Sequence, residues 1–206
     1  SAGPAGEVSR PRTRKAGLAL SVPAFAAGAL YLAQGVLDLL GAAGVPDLAR
    51  GVLEVLCALW LECLGQYWLL AGLRSQRRAS APPPALLGVL GSLVFVWDVL
   101  ASFMTNGSSW HRTIPTAAVW QALAALLLLA AVLRAVCLPG AASPRSLCRC
   151  GLLAWVLCFA WQVPRCALLP AGPGDWGMAV LGLLGGVCAL LCASPEPLRR
   201  GSHAAG

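Results

Sequence analysis

Residues 51–73 read GVLEVLCALWLECLGQYWLLAGL, an apolar run that carries Glu54, Glu62 and Gln66. A hydrocarbon core about 30 Å thick is crossed by about 20 helical residues, so the run is long enough to span a bilayer. A carboxylate in hydrocarbon is costly and ordinarily faces other helices or a wet cavity rather than lipid. A stretch of this kind therefore requires neighbouring spans.

The chain supplies them. Apolar runs occupy residues 17–41, 85–104, 114–138, 150–169 and 175–193. Hydrophobic residues make up 58% of the sequence and charged residues 11%, with mean hydropathy +0.75. Soluble domains carry about a quarter charged residues. A soluble chain with this composition has no means of hiding so much apolar surface, whereas lipid accepts it. The expected fold is an all-α bundle of six transmembrane helices over residues 17–193, with polar tails at 1–16 and 194–206. Residues 42–50, with Gly44, Pro46 and Asp47, read as a turn. Residues 74–84 and 139–149 read as linkers. The basic segment at residues 10–15 precedes a run longer than a signal-peptide core, so the first span is expected to double as the targeting signal.

The net charge of +7 does not point to nucleic acid, because the basic residues form short clusters between apolar runs. With the N-terminus cytoplasmic and six alternating spans, the cytoplasmic face receives twelve of the fifteen Lys and Arg residues. The far face receives Arg50, Arg112 and Arg165. The positive-inside rule favours this orientation, with both termini cytoplasmic, in an endomembrane of the endoplasmic reticulum or Golgi or in the plasma membrane. The sequon at Asn106 falls on the far side and is a candidate glycosylation site. A division into two three-span repeats finds no matching polar residues in the two halves.

The constellation with chemical potential is Glu62, Asp98, Gln162 and Arg165, with Glu54 and Gln66 beside it. At about 1.5 Å per residue, Asp98 and Arg165 lie at similar depth in their spans. The expected pairing is Arg165 with Asp98, ahead of Glu62. Pro164 lacks an N–H and frees a carbonyl one turn earlier, near Ala160. Such a broken span beside charges either lines a substrate path or marks a structural ion pair. Gln34 and Asp38 share a face in the first span as an i, i+4 pair.

Of nine cysteines, Cys57, Cys63, Cys158, Cys166, Cys188 and Cys192 lie in spans as small apolar residues. Cys137, Cys148 and Cys150 sit at the cytoplasmic edge and are candidate palmitoylation sites. Gly182 and Gly186 form a G-x-x-x-G motif suited to close helix packing, within the bundle or across a homodimer. The two His residues, His111 and His203, lie outside the spans, so no haem or metal pair is expected. No hydrolase elbow, zinc-protease motif or P-loop occurs, and no cofactor or catalytic residue is assigned. The reading is a multi-pass membrane protein that binds or stabilises a partner within the membrane. The alternative is a small transporter or channel subunit with a polar intramembrane site.

Reporter tags on the two ends test the topology: both are expected to be cytoplasmic. A C-terminal tag protected in sealed vesicles whose N-terminal tag is accessible would reject six crossings.

Overall fold

A computed structural model of the chain describes residues 8, 11, 13–73, 82–105, 113–138 and 143–193. They form six long helices, and no strand occurs among them. α1 is Arg14–Leu40, α2 is Val45–Leu73, α3 is Ala85–Thr105 and α4 is Thr113–Cys137. α5 runs over Pro144–Leu168 and α6 over Pro173–Ala193. All but α2 are long and apolar enough to cross a membrane by length and composition. The charges of α2 dilute its apolar content, but it packs against α1 along its whole length. Gly17 of α1 meets Gly72 of α2, Gly28 meets Glu62, and Gly35 meets Gly51, an antiparallel match from end to end. The chain is a multi-pass membrane protein. Its outward surface is apolar, with Val22, Leu37, Leu59, Val89 and Leu190 exposed. Water would penalise a contiguous surface of this kind, and lipid does not.

Each helix packs antiparallel against the next, as short connections favour. Gly91 of α3 sits on Cys57 of α2, and Cys137 of α4 directs its thiol to the Pro83 carbonyl just before α3. Gln121 of α4 bonds to the Leu157 carbonyl of α5, and Gly151 of α5 lies on Gly185 of α6. α6 then returns to α1, where Gly177 meets Tyr31. The helices thus close into a ring in sequence order, with α2 and α5 on opposite sides.

The close approaches depend on glycine. A Cβ on Gly91 would lie 2.8 Å from Cys57 Cα, and one on Gly182 would lie 2.5 Å from the Phe159 nitrogen. Gly182 and Gly186 both face α5 and are buried there, so the G-x-x-x-G surface is occupied within one chain. Inside the ring, Trp60, Leu61, Phe95, Leu128 and Leu184 are at most 1% exposed.

Helix boundaries differ from the sequence reading at two points that matter. α2 begins at Val45, so Arg50 is helical rather than part of a turn. Pro46 is tolerated in a first turn, where its missing N–H is not needed, and Asp47 there complements the helix dipole. α5 begins at Pro144, at an N-terminal position that suits Pro, so Cys148 and Cys150 are helical too. Within α5, residues Trp155–Ala160 form a π-helical turn before the α-helical Gln162–Leu168. Pro164 cannot donate to Ala160, and the π turn absorbs that break.

Replacing Gly91 or Gly182 by Val tests the packing. Each is expected to destabilise the detergent-solubilised protein by about 1–3 kcal/mol, because the opposing atoms are backbone and cannot step aside. Gly44→Ala, whose Cβ would meet only Pro46 Cδ at 3.5 Å, is the control and should stay within about 0.5 kcal/mol. Thermal unfolding of the three variants reads the difference, and equal behaviour would refute the tight-contact account.

Candidate functional site

The polar residues of the interior gather at one end of the ring, where α1, α3 and α5 end and α2, α4 and α6 begin. At about 1.5 Å per residue, Arg50, Asp98, Gln121 and Gln162 lie roughly 8–12 Å below the nearest helix ends. Glu54 lies one turn deeper, about 14 Å in.

The centre is Arg50. Its Nη1 lies 3.4 Å from Asp38 Oδ2 on α1, and its Nη2 lies 3.3 Å from Glu54 Oε1 on α2. Its Nε donates to Asp98 Oδ1 on α3 at 3.2 Å. One planar guanidinium carries enough donors for three carboxylates at once. Each partner has a local reason for being there. Glu54 is one helical turn on from Arg50, an i, i+4 neighbour. Asp38 is the i, i+4 neighbour of Gln34, which donates to it at 2.7 Å. Asp98 is brought alongside by the close α2–α3 contact at Gly91.

From Gln34 the polar chain runs on around the ring. Gln34 Oε1 accepts the Gly174 N–H of α6 at 3.1 Å. The next residue, Asp175, accepts from the Gly172 N–H at 3.1 Å and from Gln162 Nε2 of α5 at 2.8 Å. Gln162 Oε1 accepts from Gln121 Nε2 of α4 at 3.0 Å, and the same amide donates to the Leu157 carbonyl at 2.9 Å. That carbonyl lies within the π turn. All six helices contribute to this network, and Gln121 and Gln162 are 4% and 2% exposed.

A cavity of about 820 Å³ lies within the network. Its wall includes Arg50, Glu54, Asp98, Gln162, Arg165 and Asp175, together with the aromatic Tyr31 and Trp97. The exposed Asp47 in the first turn of α2 also borders it. Tyr31 packs edge-on against Phe95 with ring centroids 6.0 Å apart, and the apolar interior begins there. The cavity therefore opens at one end of the bundle and stops at a packed floor. Two features of its wall are unsatisfied. Glu54 is 2% exposed, and its Oε2 has no hydrogen-bond partner. Arg165 makes no ion pair among the described residues.

The expected ion pair needs correction, and the structure places the other candidates as follows. Asp98 pairs with Arg50, not Arg165, because starting α2 at Val45 turns a supposed loop arginine inward. Glu54 is in the site, whereas Glu62 is outside it, half-buried against Gly28 on the α1–α2 seam. Gln66 is exposed on the outer surface. Asn106 lies outside the described residues. Cys137 and Cys148 direct their thiols to the carbonyls of Pro83 and Ala189, and Cys150 is half-buried. Among the described residues, no group of three or more His, Cys, Asp or Glu side chains is placed so as to hold a metal ion. Sequence reasoning missed Arg50, Gln121 and Asp175 as site residues. The i, i+4 spacing of Arg50 and Glu54 was a usable signal for the first. Gln121, an amide inside the fourth span, carried the same signal as Gln162, and Asp175 stood at the very start of the sixth.

A double-mutant cycle tests the shared guanidinium. Arg50→Gln leaves three carboxylates facing one another and is expected to cost about 3 kcal/mol, the low end for a broken buried pair because the side chain is 43% exposed. Adding Asp98→Asn to that variant should recover part of the loss, with a coupling of about 0.5–3 kcal/mol. Arg165→Gln with Asp98→Asn should add independently. Additivity in the Arg50 cycle, measured by thermal unfolding in detergent, would refute the arrangement.

No protein family model, curated protein or solved structure matches this chain, so its functional reading rests on the cavity itself.

Proposed function

We propose that the protein is a small multi-pass membrane protein that binds a polar solute in the cavity between its helices, as a transporter or a channel subunit does. The observation that carries this reading is the combination of a wide cavity with a polar wall drawn from all six helices. A purely structural ion pair needs no cavity beside it. A bundle that only props a partner within the membrane is better served by a filled interior. Polar groups held at intramembrane depth by a broken helix are a recurrent way of lining a solute site. The Pro164-linked π turn, which aims Gln162 at Gln121 and Asp175, fits that pattern.

The distribution of Lys and Arg supports an orientation in which both termini are cytoplasmic and the cavity opens to the opposite side. On this reading all six helices cross the bilayer, in an endomembrane or the plasma membrane. Acylation of Cys137, Cys148 or Cys150 then belongs to the cytoplasmic edge.

Ala118 lines the cavity, and none of the nine native cysteines does. Ala118→Cys is expected to react with a small membrane-impermeant thiol reagent applied from the side opposite the N-terminus, well above the background of the parent protein. A reactivity no greater than the parent, in protein shown to be folded by its size-exclusion profile, would reject a water-accessible cavity.

A further inference from the structure

Two charged groups of the cavity wall that lack a full set of partners among the described residues have opposite sign and stand on opposite sides of the ring. Glu54 is on α2, and its buried Oε2 lacks a donor. Its other oxygen shares one guanidinium with Asp38 and Asp98, so three carboxylates depend on a single cation. Glu54 also lies within hydrogen-bond reach of Asp38, so that wall carries more carboxyl groups than cations. Arg165 is on α5, half-buried at the cavity surface, and makes no ion pair among the described residues. A guanidinium offers a planar fork of donors that matches a carboxylate. Tyr31 and Trp97 line the space as well, and aromatic faces favour an organic cation over a hydrated ion.

We propose that the solute is a small zwitterion of the amino-acid kind, its ammonium directed to Glu54 and Asp98 and its carboxylate to Arg165. The assignment rests on the solute-binding reading above. A plain amine satisfies one wall and is repelled by Arg165. A plain carboxylate satisfies Arg165 and is repelled by the acidic wall. A molecule with both charges answers both, and an ammonium brings three donors where one oxygen lacks any. Asp47, exposed in the first turn of α2, adds negative charge on the acidic side.

The test uses the full chain in an uncharged detergent and measures binding by ligand-induced thermal stabilisation and by native mass spectrometry. The probes are the unbranched ω-amino acids from glycine to 6-aminohexanoate, with the alkylamine and the carboxylate of each length. At least one ω-amino acid is expected to bind about tenfold more tightly, or better, than either half-molecule of its length, as one charge-assisted hydrogen bond is worth. Arg165→Gln should abolish the preference over the amine, and Glu54→Gln the preference over the carboxylate. Arg165 makes no ion pair among the described residues, so its arm and the probe series on the unmodified protein decide the matter even if Glu54→Gln does not fold. An amine that binds as tightly as its zwitterion overturns the proposal, and so does an Arg165→Gln protein that keeps the full preference. If no probe binds while Ala118→Cys still reacts, the ligand class falls and the cavity reading stands. If Ala118→Cys is also unreactive, both fall.

Discussion

Arg50 is the interaction on which the open end of the bundle depends. Three helices bring a carboxylate to it: Asp38 from α1, Glu54 from α2 and Asp98 from α3. Without the guanidinium, these helices would place like charges side by side in a medium that screens them poorly. With it, electrostatic repulsion becomes a three-way clamp. The clamp has a consequence for the space beside it. One arginine cannot fill every acceptor site of three carboxylates, and the shortfall appears at Glu54 Oε2, which is buried and unpartnered.

The clamp works because small residues elsewhere let the helices approach. Gly17 and Gly72, Gly35 and Gly51, and Gly91 and Cys57 set α1, α2 and α3 close enough for short side chains to reach across. In hydrocarbon the hydrophobic effect does not draw helices together, so such contacts and interhelical hydrogen bonds carry the association. The other half of the ring solves the same problem differently. α5 gives up regular α geometry at Trp155–Ala160, and Gln121 donates to the Leu157 carbonyl within that turn. Pro164 is the reason the break occurs there, and Gln162 is the residue that benefits.

The molecule is thus divided along its axis. One end is closed by tightly packed aromatic and aliphatic side chains, with Phe95, Trp60 and Trp68 fully buried. The other end is lined by amides and charges around open space. The polar groups and the packed aromatic floor thus occupy opposite ends of the same bundle.

The sequence by itself determined the class of object. Long apolar runs with few charges leave the backbone no option but helices, since lipid offers no hydrogen-bond partner to an unpaired N–H or C=O. The number of helices, their order and the break in the fifth followed from hydropathy and from Pro164. The importance of Glu54, Asp98, Gln162 and Arg165 was also legible, because a charge or amide in a span has to be accounted for. Their partners were not. Arg50 sat among turn-forming residues, and only the packing of α2 as a helix from Val45 turned it toward Asp98. Glu62 ranked ahead of Glu54 by its depth in the span, yet Glu62 and Gln66 project to a seam and to the outer surface. Depth along a helix can be counted from sequence, but rotation about its axis depends on which neighbours it meets. That angle decides which polar residues share a cavity, and the tertiary structure alone supplied it.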